Sequence, residues 1–248
     1  LSSGLTVPDV TDGTAAFDSL LAEDRARDTK NHHILVIHRR LRTLLRLYPD
    51  MRFIHLVRDP RDVAHSSIGM GWAGNTWFGV DHWIGTESEW DKHSSLIPPD
   101  QVFSLRYEDM LEAPEETLTR MCAFIGVPYH PAMMDFPKTS TYAPLDPKLA
   151  YQWRRKQIED EVADVEYKVS DILVARGYSS SGFSRRAPSL MRKLALLIQN
   201  KAFVWSFRLR RFGLIDSLLE VVARRTGLID LGKGARARIR AKQIKHLK

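Results

Sequence analysis

The segment RFIHLVRDPRDVAHSS, Arg52 to Ser67, constrains this chain more than any other stretch. Phe53 to Val57 is a short apolar run with β-branched and aromatic residues, the pattern of a buried strand. Asp59 and Pro60 follow at once with the signals that open a helix. Upstream, ILVIHRRLRTLLRLYPD places Ile37, Leu41, Leu44 or Leu45, and Tyr48 at helical spacing and stops at Pro49, which predicts an amphipathic helix. Helix, strand, helix is an α/β pattern. It returns in QVFSLRY, Gln101 to Tyr107, which leads into a helix opened by Pro114 and closed by Gly126. Strands alternating with helices predict a parallel sheet flanked by helices.

The remaining segments extend this plan. Asp12 or Thr14 is placed to cap a short helix carrying Phe17, Leu20 and Leu21. GMGWAGNTWFGVDHWIGTESEW, Gly69 to Trp90, suits either a loop and helix at the mouth of a site or a tryptophan-anchored helix packed on the sheet. Gln152 to Arg176 reads as one charged helix with Ile158, Val162, Val165, Val169 and Ile172 along its buried stripe, stopped by Gly177. A length of 248 residues suits one core with an appended segment. The expected division is an α/β domain over 1–178, a Ser, Gly and Pro-rich linker over 179–189, and a basic extension over 190–248 with two or three helices broken near Gly213 and Gly227.

Charge follows the same division. The net charge is +7, and most of the excess lies in the extension, where Lys201, Arg208, Arg210, Arg211, Arg224, Arg225 and the basic run from Lys233 to Lys248 face only Asp216, Glu220 and Asp230. An anionic partner is expected, whether nucleotide, nucleic acid or acidic membrane surface. Cys122 is the sole cysteine, and no apolar run approaches the ~20 residues that span a bilayer, so a reducing cytoplasm is the default compartment.

Ligands of open α/β sheets bind beyond the carboxyl ends of strands, where a following helix offers free N–H groups to an anion. Arg58 leaves the strand with a fork that can grip a phosphate, Arg61 adds charge at the turn, and Ser66 lies eight residues on. Spacing alone leaves a second reading open, in which Arg58 pairs with Asp59 and Ser66 merely packs.

FIHLVRDPRDVAHS, Phe53 to Ser66, resembles the 3′-phosphate-binding motif of sulfotransferases that use 3′-phosphoadenosine 5′-phosphosulfate. The resemblance implies that Arg58 and Ser66 hold the 3′-phosphate. LRYEDM, Leu105 to Met110, is similar to a strand end in that family whose tyrosine lies near adenine, implying Tyr107. YQWRRKQIEDEV resembles the C-terminal WR-containing helix of bacterial members, implying Arg154 as a basic residue closing over the phosphate. KNHHIL stands where members carry a KTH or KTP segment, making Lys30 a charge candidate and His32 a candidate base. Here Asn31 replaces the threonine and His33 competes with His32.

Complete members also begin with a P-loop-type strand and a phosphate-cradling loop similar to PRSGTT. LSSGLT at Leu1 to Thr6 does not match it, so a chain that begins after that loop is expected, with a degenerate non-catalytic protein as the other reading. The expected reaction is sulfuryl transfer to a hydroxyl or amine of a small-molecule, sugar or lipid acceptor, without a metal, since His55, His65, His82 and His93 lack ligand spacing. The alternatives are a nucleotide kinase-like enzyme, or a non-catalytic binding protein whose tail docks on an anionic membrane, nucleic acid being disfavoured; the tail also reads as amphipathic helix packed on the domain or on another subunit.

Overall fold

The computed structural model describes residues 12–27, 32, 34–37, 40–140, 142–184, 187–226 and 229–246. Helix α1, Gly13–Arg27, opens where expected, with Asp12 Oδ1 accepting the Thr14 N–H at 2.9 Å. Helix α2, Leu41–Leu47, is shorter than its periodicity predicts. Arg40 has φ 65° and stands in the left-handed region, which a right-handed helix cannot propagate through, and Ile34 to Ile37 lie outside any helix.

Strand β1, Phe53–Val57, then leads into α3, Pro60–Gly69, and short α4, Thr76–Gly79, precedes α5, Asp81–His93. Strand β2, Val102–Arg106, feeds α6, Tyr107–Glu112, and α7, Pro114–Ile125, which ends at Gly126 with φ 90°. The two strands pair in parallel, Phe53 with Val102 through Val57 with Arg106. Among the described residues the sheet has these two strands, so Leu56 is left 53% exposed where an interior strand would bury it.

The 152–176 segment is two helices instead of one: α8, Trp153–Lys156, and α9, Glu159–Ala175. Gln157 and Ile158 are extended between them, so Ile158 is 67% exposed and lies off the stripe. Val162, Val165, Val169 and Leu173 carry the burial, and the last three meet Val57, Ala64, Val80 and Trp83 in the main core. Three further helices follow: α10, Leu190–Phe212, α11, Leu214–Thr226, and α12, Ile229–His246. Helix α10 docks on the turn between α3 and α4. Asn200 Oδ1 accepts the Gly74 N–H at 2.6 Å, Asn75 Nδ2 donates to the Leu196 carbonyl at 2.8 Å, and the Phe207 ring covers Gly71.

Close backbone approach holds α3 against α4. A Cβ on Gly79 would lie 2.3 Å from the Ala64 carbonyl oxygen, a backbone atom that cannot swing away. Gly79→Ala is therefore expected to cost about 1–3 kcal/mol in urea unfolding. Gly85→Ala on α5, where a Cβ meets nothing within 4 Å, should instead gain roughly 0.5–1 kcal/mol.

Candidate functional site

Parallel pairing carries Arg58 and Tyr107 out of the sheet side by side, each one residue beyond the paired Val57 and Arg106. The Arg58 guanidinium lies over the Tyr107 ring, 4.7 Å from its centroid. The Arg58 carbonyl accepts the Trp83 indole N–H at 2.9 Å, which pins the strand exit. Among the described residues Arg58 Nε, which is buried, has no hydrogen-bond partner. A buried cationic donor without an acceptor is costly, and an anion at this edge would satisfy it.

Arg61 is placed quite differently. It is 1% exposed and donates to Asp59 through Nε and Nη2, to Glu166 Oε1 through Nη1 at 2.7 Å, and to the Ser179 carbonyl at 3.0 Å, with Trp153 stacked 3.8 Å away. It is an interior cross-brace. Burial pushes Glu166 up, but the Ser181 N–H and Arg61 more than reverse this and hold its carboxyl below the ordinary range. The 179–184 stretch is thereby tied down, with Ser180 Oγ and the Ser181 N–H both donating to Glu166.

The helix N-terminus expected to bind an anion is already capped, because Asp59 Oδ1 accepts the Arg61 N–H at 2.9 Å. Side chains have to do the binding instead. Asp62 turns inward and accepts the Gln152 and Trp153 N–H groups at 3.0 and 2.7 Å, so it anchors the start of α8. Burial raises Asp62, and the positive charge of Arg58 is among the groups that moderate the rise. Ser66 is exposed one turn beyond Asp62 on the same helix face, the side on which α8 begins. Arg154 on α8 is exposed, its guanidinium 4.8 Å from the Tyr151 ring centroid. Tyr151 itself has φ 49°, an unusual conformation for a bulky residue, held by the two bonds to Asp62 that follow it.

His32 is not part of this group. It lines a separate cleft of about 1320 Å³ with Ile34, Phe53, Trp90, Phe124 and Ile125, from which Arg58, Ser66, Tyr107 and Arg154 are absent. Lys30 lies outside the described residues, as does the LSSGLT segment. Two positioning groups escape sequence reasoning. Glu108, fully buried, accepts the Asp59 N–H at 3.0 Å and the Tyr178 hydroxyl at 2.8 Å, locking the two strand exits together. Trp83 could be suspected from the tryptophan-rich stretch, although its hydrogen bond to Arg58 could not.

Residues 9–131 match the family model described as "Sulfotransferase family". The chain is 31% identical over 101 residues to the omega-hydroxy-beta-dihydromenaquinone-9 sulfotransferases of Mycobacterium bovis and Mycobacterium tuberculosis, covering 36% of this chain and 26% of each relative. The chain belongs to the sulfotransferase family. It spans about a quarter of the length of these curated relatives. A solved sulfotransferase domain from the curacin biosynthetic pathway aligns with a TM-score of 0.43 at 20% identity, over 55% of this chain and 58% of that one. The sulfotransferase match includes Arg58, Ser66 and Tyr107 and ends before Arg154.

Proposed function

We propose that this chain holds the 3′-phosphate end of 3′-phosphoadenosine 5′-phosphosulfate and serves sulfuryl transfer to a hydroxyl acceptor. The observation that carries the reading is Arg58, whose buried Nε lacks an acceptor among the described residues while its guanidinium lies over Tyr107 at the carboxyl edge of a parallel sheet. In this reading Arg58 grips the 3′-phosphate, the Ser66 hydroxyl donates to it, Arg154 approaches from α8, and Tyr107 neighbours the adenine. The nucleotide supplies the sulfuryl group. Arg61 takes no ligand contact in this reading because it is buried and turned onto Asp59, Glu166 and Ser179. The acidic residues nearest the site are likewise committed, Asp59 to Arg61 and Trp153, Asp62 to the start of α8. The mycobacterial relatives are named for an omega-hydroxy compound, which favours a hydroxyl over an amine as acceptor. His32 lines the other cleft and takes no part in holding the 3′-phosphate.

Isothermal titration with adenosine 3′,5′-bisphosphate and with adenosine 5′-monophosphate tests the assignment. One charge-assisted contact to the extra phosphate predicts a roughly 10- to 100-fold preference for the bisphosphate. Equal affinities would remove the 3′-phosphate reading.

A further inference from the structure

Helix α8 has four residues, too few to hold a direction by its own hydrogen bonds, and Gln152 at its N-cap supplies no side-chain cap. Its orientation comes from outside, from three residues at the start of α3. Asp59 Oδ2 accepts the Trp153 indole N–H at 3.0 Å, and the Arg61 carbonyl accepts from Gln157 Nε2 at 2.7 Å. Both of these bonds hold side chains. Asp62 instead takes the main chain, accepting the successive Gln152 and Trp153 N–H groups at 3.0 and 2.7 Å, one on each carboxylate oxygen. Two adjacent amides fixed from one carboxylate set the direction in which the chain enters α8.

The segment just before is pinned as well. Pro147–Leu149 packs against α6, which Tyr107 opens, and Tyr151, with φ 49°, then swings the chain from α6 onto α3. The stretch thus joins the elements that carry Tyr107 and Ser66. On it stands Arg154, exposed, its guanidinium 4.8 Å from the Tyr151 ring centroid and 5.4 Å from that of Trp153. Its neighbours Arg155 and Lys156 turn back onto the Lys148 carbonyl and the Gln152 side chain. Among the described residues no carboxylate pairs with Arg154, so its charge is free for an anion. We infer that Asp62 is a positioning residue for the phosphate site: by holding the Gln152 and Trp153 amides it sets where Arg154 stands relative to Ser66, one turn further along α3. The inference rests on the assignment of Arg58, Ser66 and Arg154 to the 3′-phosphate.

Asp62→Asn tests it with little change of shape, because an amide keeps one acceptor oxygen and turns a donor toward the second N–H. Isothermal titration with adenosine 3′,5′-bisphosphate is run on the parent, Asp62→Asn, Arg154→Ala and the double variant. Each single substitution should weaken binding roughly ten-fold, the scale of one charge-assisted contact. The double variant should also be only about ten-fold weaker, since Asp62 acts through Arg154, whereas independent effects would multiply to about 100-fold. Affinity for adenosine 5′-monophosphate should be the same in all four. Tyr151→Gly frees the turn by a second route and removes the ring beneath Arg154; its loss should likewise fail to multiply with that of Arg154→Ala, and it decides the matter should Asp62→Asn not fold. The inference is overturned if either single variant binds the bisphosphate like the parent, or if the losses multiply. A parent that binds both nucleotides equally would instead remove the 3′-phosphate reading itself.

Discussion

Arg61→Ala should be the most destabilising single substitution at the strand exit, costing about 3–5 kcal/mol in a denaturant titration at neutral pH. Asp59 and Glu166 are both fully buried, and Arg61 is the guanidinium that bonds both. Removing it takes the shared guanidinium from two buried carboxylates, and it opens a void beneath Trp153. The pH dependence separates these contributions. In the parent, Glu166 has a folded pKa below its unfolded value, so its contribution is present above the unfolded value and is lost as pH falls through the folded one. Without Arg61 the Ser180 and Ser181 bonds remain but the depression is smaller, so Glu166 contributes less at neutral pH. The deficit of Arg61→Ala relative to the parent should therefore shrink as pH falls below ~4.3, the ordinary glutamate value, toward the folded value of the parent. A deficit independent of pH would mean that lost packing alone is responsible.

Arg58 and Arg61 show where sequence reasoning stops. In RDPRD they are two arginines three residues apart, and both read as phosphate-site charge. What separates them is nonlocal. Arg61 finds Glu166 across 105 residues and the Ser179 carbonyl across 118, while Arg58 finds Tyr107 because β2 pairs beside β1. The Asp59 cap and the Pro60 start were legible, since capping is settled within three residues. The Asp59 bond to Trp153 and the Asp62 bonds to α8 were not, and these convert an apparent free helix end into a structural joint. The same limit explains the broken 152–176 helix. Its apolar spacing is continuous through Ile158, but Gln157 Nε2 donates to the Arg61 carbonyl at 2.7 Å, and the chain turns there to make the bond.

Arg58→Ala should have the opposite profile to Arg61→Ala, with a large effect on binding and a small one on stability. The Arg58 Nε bonds no group among the described residues, so its loss leaves no buried carboxylate there without its donor, and the Trp83 bond is to the backbone carbonyl, which any residue keeps. The thermal midpoint should therefore move little. Affinity for adenosine 3′,5′-bisphosphate should fall roughly 10- to 100-fold, the scale of a charge-assisted contact of about 1.5–3 kcal/mol. Arg58→Lys tests whether geometry or charge matters. An ammonium restores the charge but not the planar fork, and it loses the stacking over Tyr107. It should remain at least about ten-fold weaker than the parent. Affinity for adenosine 5′-monophosphate should be nearly the same in parent and variants, because Arg58 is assigned to the 3′-phosphate alone. If both nucleotides weaken equally, Arg58 acts on the adenosine or on the fold. If neither weakens, the orphaned Nε is a structural feature, and the phosphate site lies elsewhere in the chain.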